Sequence, residues 1–266
     1  MRNYLQPQTT GDVLRNTFAI YGKGFWAILL TFLLPVFPFQ VWQAEAKAAN
    51  NTPLYFLAFV AGIVGGLFAF GAIAITVSDI CLGNKPGVTR SYKRVFSTIP
   101  GKLLVTNFLN IICWGLPAVP LYVLPAHFSK ATDAAKMIMV LVMIASLIVS
   151  VMVCLRFLFA SSIVVLEGRW GFHALKRSKA LASGFNWRTL AVLTLLWIIV
   201  LLVLTVAAVV LIVLHVKSPV TERIFASAIA TTVMPIFFIA AVLLYYDSRV
   251  RKEAYDNAAL AEDLRR

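Results

Sequence analysis

The sequence predicts an all-α polytopic membrane protein with six transmembrane helices, and three observations predict it. Of its 266 residues, 61% are hydrophobic and only 13% charged, where a soluble domain carries roughly 25% charged residues. Six mostly apolar runs are each long enough to cross a hydrocarbon core, which takes about 20 residues. Lysine and arginine gather at the ends of alternate runs, the pattern that sets orientation in a multi-pass chain. With a mean hydropathy of +0.86, a water-soluble globule is excluded.

The predicted spans cover 25–43, 54–82, 103–124, 137–166, 189–216 and 224–246. The amino end is polar through Lys23, and the first apolar run has no small-residue cleavage pattern, so that span is expected to be retained. Pro35 and Pro38 interrupt the first span, and Pro117 and Pro120 the third. Both are expected to kink, with neighbouring helices satisfying the carbonyls that proline leaves free. The second span carries Gly62, Gly65, Gly66 and Gly71 with Ala61, Ala69 and Ala72, a small-residue surface for close helix approach. The fifth gives the clearest signal: from Leu195 it reads LLWIIVLLVLTVAAVVLIVL, with Thr205 as its one hydroxyl.

Counting bases on alternate sides orients the chain. One side holds Arg2, Arg15, Lys23, then Lys85, Arg90, Lys93, Arg94, Lys102, then Arg169, Lys176, Arg177, Lys179, Arg188, and finally Arg249, Arg251, Lys252, Arg265, Arg266. The other holds only Lys47, Lys130, Lys136, Lys217 and Arg223. Both termini are therefore expected in the cytoplasm. The net charge of +13 becomes a statement of topology, and no nucleic-acid partner is needed to explain it.

Each basic connection contains a short stretch with apolar residues at helical spacing: Leu14, Phe18, Tyr21, Phe25 in the first and Val88, Tyr92, Val95, Ile99 in the second. The third follows the spacing more loosely, with Phe172, Leu175, Ala182 and Phe185. Thr9 and Asp12 form a capping box that would start the first helix. Such helices, too short and too charged to span, are expected to lie in the headgroup region. Each also carries a base followed by a small polar residue, Arg15-Asn16, Arg90-Ser91 and Arg177-Ser178. Residues 1–266 thus read as one membrane domain with parallel repeats at 9–82, 83–166 and 167–248 and a charged tail at 249–266.

Cys81, Cys113 and Cys154 fall in or at the ends of spans without C-x-x-C spacing, and read as small apolar fillers with no metal or cofactor. The blocks TTGDVLRNTFAIYGKGFWAILL, LEGRWGFHALKRSKALASGFNWRTL and AAVLLYYDSRVRKEAYD resemble the bacterial family labelled glycerophosphoryl diester phosphodiesterase membrane domain. The resemblance implies a polytopic protein of the bacterial inner membrane. The phosphodiesterase barrel fused to some relatives is missing, and His127, His173 and His215 are scattered with no carboxylate cluster beside them. No catalytic residues are assigned.

Ionisable residues inside spans cost about 2.5 to 3.5 kcal/mol on insertion scales and mark sites by default. Arg156 is the deepest, and Asp79, Glu167 and Asp247 end the even-numbered spans. These four are expected to form a charge network that ties the basic helices to the bundle, so that Arg156→Leu lowers stability or expression without altering solute flux. Asn107 and Asn110 in the third span are expected to hydrogen-bond between helices. The candidate contacts to anionic lipid are Arg15, Lys23, Trp26, Arg90, Lys93, Arg94, Lys176, Arg177, Lys179 and Arg188. Two functions stand: a non-catalytic protein that interacts with anionic lipids or organises membrane partners, and a secondary transporter or channel-like protein for a small solute or lipid. A polar cavity at mid-depth would favour transport; a solid core with grooves facing lipid would favour the first.

Overall fold

The computed structural model describes residues 4–98, 100–213 and 219–265. Arg2, Ile99, His215, Val216, Lys217 and Arg266 lie outside the described residues, as do the side chains of Lys130, Arg223 and Ile224. The chain runs α1 (Thr10–Lys23), α2 (Phe25–Ala48), α3 (Thr52–Cys81), α4 (Val88–Thr98), α5 (Pro100–Val123), a 3-10 turn (Leu124–Lys130), α6 (Asp133–Phe157), α7 (Ala160–Glu167), α8 (Phe172–Ala182), α9 (Asn186–Val213), α10 (Pro219–Val233), α11 (Pro235–Glu253) and α12 (Asn257–Asp263). No strand occurs among the described residues. Six helical stretches are long and apolar enough to cross a membrane: Phe25–Ala48, Thr52–Cys81, Pro100–Ser129, Asp133–Glu167, Asn186–Val210 and Phe225–Glu253. The protein is an all-α, multi-pass integral membrane protein.

The order short helix, long helix, long helix occurs three times, beginning at α1, α4 and α8. Each short helix packs against the basic end of an even-numbered span: α4 on α3, α8 on α7, and α1 on α11. The last contact brings the amino end to the final span and closes a ring. Its centre is continuous core, with every residue of 69–80, 160–166 and 239–248 buried. Toward the other end the fourth and fifth spans show mostly exposed aliphatic residues, the surface expected where lipid rather than protein is the neighbour.

Helices α2 and α5 run through their prolines, whereas the fourth span breaks at Leu158–Phe159 and the sixth at Met234. Each short helix sends a hydroxyl to a carbonyl at one of these irregularities. Pro35 lacks the N–H that would bond the Thr31 carbonyl, and Tyr92 of α4 donates to it instead at 2.5 Å. Tyr21 of α1 donates to the Thr232 carbonyl at 2.6 Å, just before the break at Met234. Ser178 of α8 donates to the Arg156 carbonyl at 2.8 Å and accepts from the Phe159 N–H at 3.2 Å, bridging the break between α6 and α7. In a membrane such groups have no water to turn to, so these hydroxyls are what make the irregular backbone tolerable.

The face that α1 buries differs from the apolar row in the sequence. Val13, Asn16, Thr17 and Ile20 are buried, while Phe18 is exposed. Two polar residues point inward: Thr17 Oγ1 donates to the Val13 carbonyl at 2.8 Å and Asn16 Nδ2 to Gln8 Oε1 at 3.0 Å, while the buried Asn16 Oδ1 has no partner among the described residues. Asn16, Ser91 and Ser178, the small polar residues that follow a base in each short helix, are all buried. Ser91 meets the Thr76 hydroxyl at 2.9 Å. The glycines of α3 differ in how close their neighbours come. A Cβ on Gly65 would stand 2.1 Å from the Pro35 carbonyl oxygen, so α2 and α3 approach backbone to backbone there; one on Gly62 or Gly71 would come within 3.2 Å of a side chain, while one on Gly66 would meet nothing within 4 Å. Cys81, Cys113 and Cys154 are free thiols.

Candidate functional site

The acids at the ends of the even-numbered spans anchor the basic end. Glu167, at the last turn of α7, receives the Arg177 Nε at 3.0 Å and the Tyr245 hydroxyl at 3.0 Å, with Arg169 at 3.5 Å and Arg249 at 4.0 Å. Arg177 also reaches Glu253 at 2.5 Å, and Arg249 bonds both Glu253 at 3.0 Å and Asp263 at 2.6 Å. The hydrogen bond to Glu253, with Glu167 behind it, raises the Arg177 pKa against the opposing effect of burial. Asp247 accepts from Arg188, from Arg251 at 2.9 Å and from the Gln8 N–H at 2.7 Å. It thereby ties α9, α11 and the segment before α1 together.

Asp79 and Arg156 depart from the expected network. Asp79 is 2% exposed, yet its Oδ2 accepts no hydrogen bond among the described residues. Arg156 pairs with none of the three acids among the described residues: Glu167, on its own span, stands eleven residues on, about 16 Å along a helix, beyond the break after Phe157. What Arg156 contributes is its carbonyl, held by Ser178. The two asparagines also divide. Asn107 Oδ1 accepts from Ser161 of α7 at 2.8 Å, an interhelical bond, while the buried Asn110 Oδ1 has no partner among the described residues.

The ten candidate lipid contacts split in the same way. Arg177 and Arg188 are spent on Glu167, Glu253 and Asp247. Arg94 donates to the Leu264 carbonyl and to the Asp263 carbonyl at 3.0 Å, docking the end of α12. Burial lowers the Arg94 pKa, an effect the Asp79 charge partly offsets. Lys23 donates to the Tyr4 hydroxyl at 3.0 Å, and Arg15 meets Asp12 at 3.0 Å on the surface. Arg90, Lys93, Lys176 and Lys179 remain exposed, and among exposed aromatics at this end Trp26 is 71%, Phe172 71% and Trp187 84% accessible.

Sequence reasoning missed the part played by Gln8, Arg249, Arg251, Tyr255 and Asp263. A signal was present in the i,i+4 pairs Asp247–Arg251 and Arg249–Glu253. The Arg249 guanidinium also stacks 3.7 Å from the Tyr255 ring centroid, and Tyr255 donates to Asp263 at 2.7 Å.

Cavities of two kinds follow. At the basic end, one of about 660 Å³ is lined by Arg169, Trp170, His173, Lys176 and Arg177, and another of about 370 Å³ lies around Asp79, Arg90, Arg94 and Arg265. Farther along the spans the grooves are apolar: about 600 Å³ between α6 and the start of α9, and about 440 Å³ between α3 and α5. Among the described residues no group of three or more His, Cys, Asp or Glu side chains is arranged to hold a metal.

Residues 45–265 match the model of a family described as a domain of unknown function, DUF8558, and the chain belongs to that family. No curated protein and no solved structure matches the chain.

Proposed function

We propose that this DUF8558 protein is a non-catalytic protein of the bacterial inner membrane, with both termini in the cytoplasm, that holds anionic phospholipid against its basic end. The observation that carries the reading is the cavity of about 660 Å³ where Arg169, His173 and Lys176 stand beside Trp170. Arg177, on the same rim, is already neutralised by Glu167 and Glu253. Lys176, which forms no ion pair among the described residues, offers charge to a phosphate at about 1 kcal/mol near an anionic surface, with the exposed Arg169, shared with Glu167 at 3.5 Å, beside it. Trp170 and Phe172, both exposed, supply the amphipathic and apolar surface that settles at the headgroup boundary.

The broken fourth and sixth spans favour a second reading, transport, since discontinuous helices often line carrier sites. Against it, Ser178 and Tyr21 seal the carbonyls at both breaks, and the larger grooves along the spans are apolar. One experiment separates the two. Lipids retained through purification are compared with the bulk membrane for the native protein and for the Arg169→Gln, Lys176→Gln double variant, alongside solute flux in proteoliposomes. Anionic lipid enriched in the native protein and reduced in the variant supports lipid recognition. Equal composition refutes it, and flux dependent on folded protein would establish the transport reading in its place.

A further inference from the structure

We propose that the second basic cavity, formed where the end of α3, the start of α4 and the tail after α12 meet, binds a phosphodiester headgroup that carries its own hydrogen-bond donor, with the donor on Asp79 and the phosphate on Arg90 and Arg265. The cavity measures about 370 Å³ and is lined by Asp79, Asn84, Arg90, Arg94 and Arg265 among others. Asp79 is 2% exposed, and its Oδ2 accepts nothing from the protein among the described residues. A buried carboxylate oxygen left without a donor is costly, and the neighbouring guanidinium that would cancel that cost is held elsewhere. Arg94 donates to the carbonyls of Asp263 and Leu264, so docking of the tail keeps the Asp79 carboxylate open. Arg90 and Arg265 form no ion pair among the described residues.

Three guanidinium groups around one carboxylate leave a net positive cavity, which selects an anion. The carboxylate then selects among anions, because a plain phosphate oxygen facing Asp79 is repelled while an N–H or O–H beside it is bound. An ethanolamine headgroup brings that combination through its ammonium and a glycerol headgroup through its hydroxyls. A choline headgroup carries the same phosphodiester without any donor. The inference rests on the lipid-recognition reading but concerns a different cavity and a finer property, and the two can fail separately.

The test uses the full-length protein in detergent, titrated with phosphatidylethanolamine, phosphatidylglycerol and phosphatidylcholine of identical chains and followed by native mass spectrometry. One or both donor-bearing lipids should bind about tenfold tighter than phosphatidylcholine, the difference a hydrogen bond to a charged group supports. The lipid that shows the preference identifies whether an amine or a hydroxyl is the donor. Asp79→Asn, close to isosteric, should bring the lipids together by relaxing the preference while phosphatidylcholine still binds. Arg90→Gln with Arg265→Gln should weaken all three. Should Asp79→Asn fail to fold, the unmodified protein still decides: mono- and dimethylated phosphatidylethanolamine should fall between the parent lipid and phosphatidylcholine, or phosphatidylglycerol should bind tighter than phosphatidylmethanol, which has the same charge and no headgroup donor. Equal binding of all three lipids overturns the proposal, as does a preference that survives Asp79→Asn. Loss of every phospholipid interaction in the native protein would overturn the lipid-recognition reading as well.

Discussion

Replacing Ser178 by alanine tests the claim that the short helices hold the breaks in the long ones. Ser178 is fully buried, and its hydroxyl is shared between the Arg156 carbonyl at 2.8 Å and the Phe159 N–H at 3.2 Å. Alanine removes both bonds and leaves two backbone groups at a helix break without their partner. Each buried unsatisfied group costs about 1–3 kcal/mol, and the 3.2 Å bond, being longer, belongs at the lower end. A loss of about 2–4 kcal/mol follows. Thr205→Ala is the control, because that hydroxyl bonds only the Leu201 carbonyl of its own helix at 2.8 Å on an exposed face, so its loss should stay within about 0.5 kcal/mol. Reversible unfolding in mixed micelles, with denaturing detergent as the variable, measures both. A Ser178→Ala protein as stable as the Thr205→Ala protein would refute the reasoning.

Three further outcomes are expected. Gly65→Ala should destabilise by about 3 kcal/mol, the upper end for overpacking, because its Cβ would stand 2.1 Å from a backbone oxygen, whereas Gly66→Ala meets open space; thermal unfolding of the pair in detergent should differ clearly. Arg156→Leu should change stability by no more than about 0.5 kcal/mol, since the guanidinium has no partner among the described residues, and a large loss in the same assay would show a pairing that the structure lacks. Stability should decline with alkaline pH. Tyr92 and Tyr255 have pKa values raised by burial, and for Tyr255 by its bond to Asp263 as well. Their contribution is fully present below the unfolded value of about 10 and lost as pH rises above it. Melting curves from pH 8 to 11, which span that value, should show a shallower decline when both are replaced by phenylalanine; an unchanged slope would contradict this.

The span count was legible because membrane insertion depends on a local property, the length of an apolar run, and 25–43 or 137–166 carries that in its own residues. The capping box at Thr9 and Asp12 was legible for the same reason, both bonds lying within one turn. Face selection was not. In α1 the Leu14, Phe18 and Tyr21 row is as periodic as the Val13, Thr17 and Ile20 row that packs inward, and the choice depends on α9 and α11, which lie far along the chain. The expected place of Arg156 in the charge network fails for the same reason, since which acids a guanidinium meets is set by other helices and by the break in its own span. Nothing within 150–167 announces the break; the residue that accommodates it, Ser178, comes later, on another helix.

The sequence alone determined that this chain lives in a membrane, how many times it crosses, and that its cations concentrate at one end. All of these follow from how each residue partitions between water and hydrocarbon, a property no distant neighbour can reverse. Tertiary structure decided which cations are left for a ligand. Arg177 and Arg188 look the same in sequence as Lys176 and Lys179, yet the first pair meets Glu167, Glu253 and Asp247 while the second faces outward. A charge is neutralised by whatever the fold brings within a few ångströms of it, and Asp79, left open because Arg94 is held by the carbonyls of Asp263 and Leu264, depends on contacts between residues some 170 positions apart.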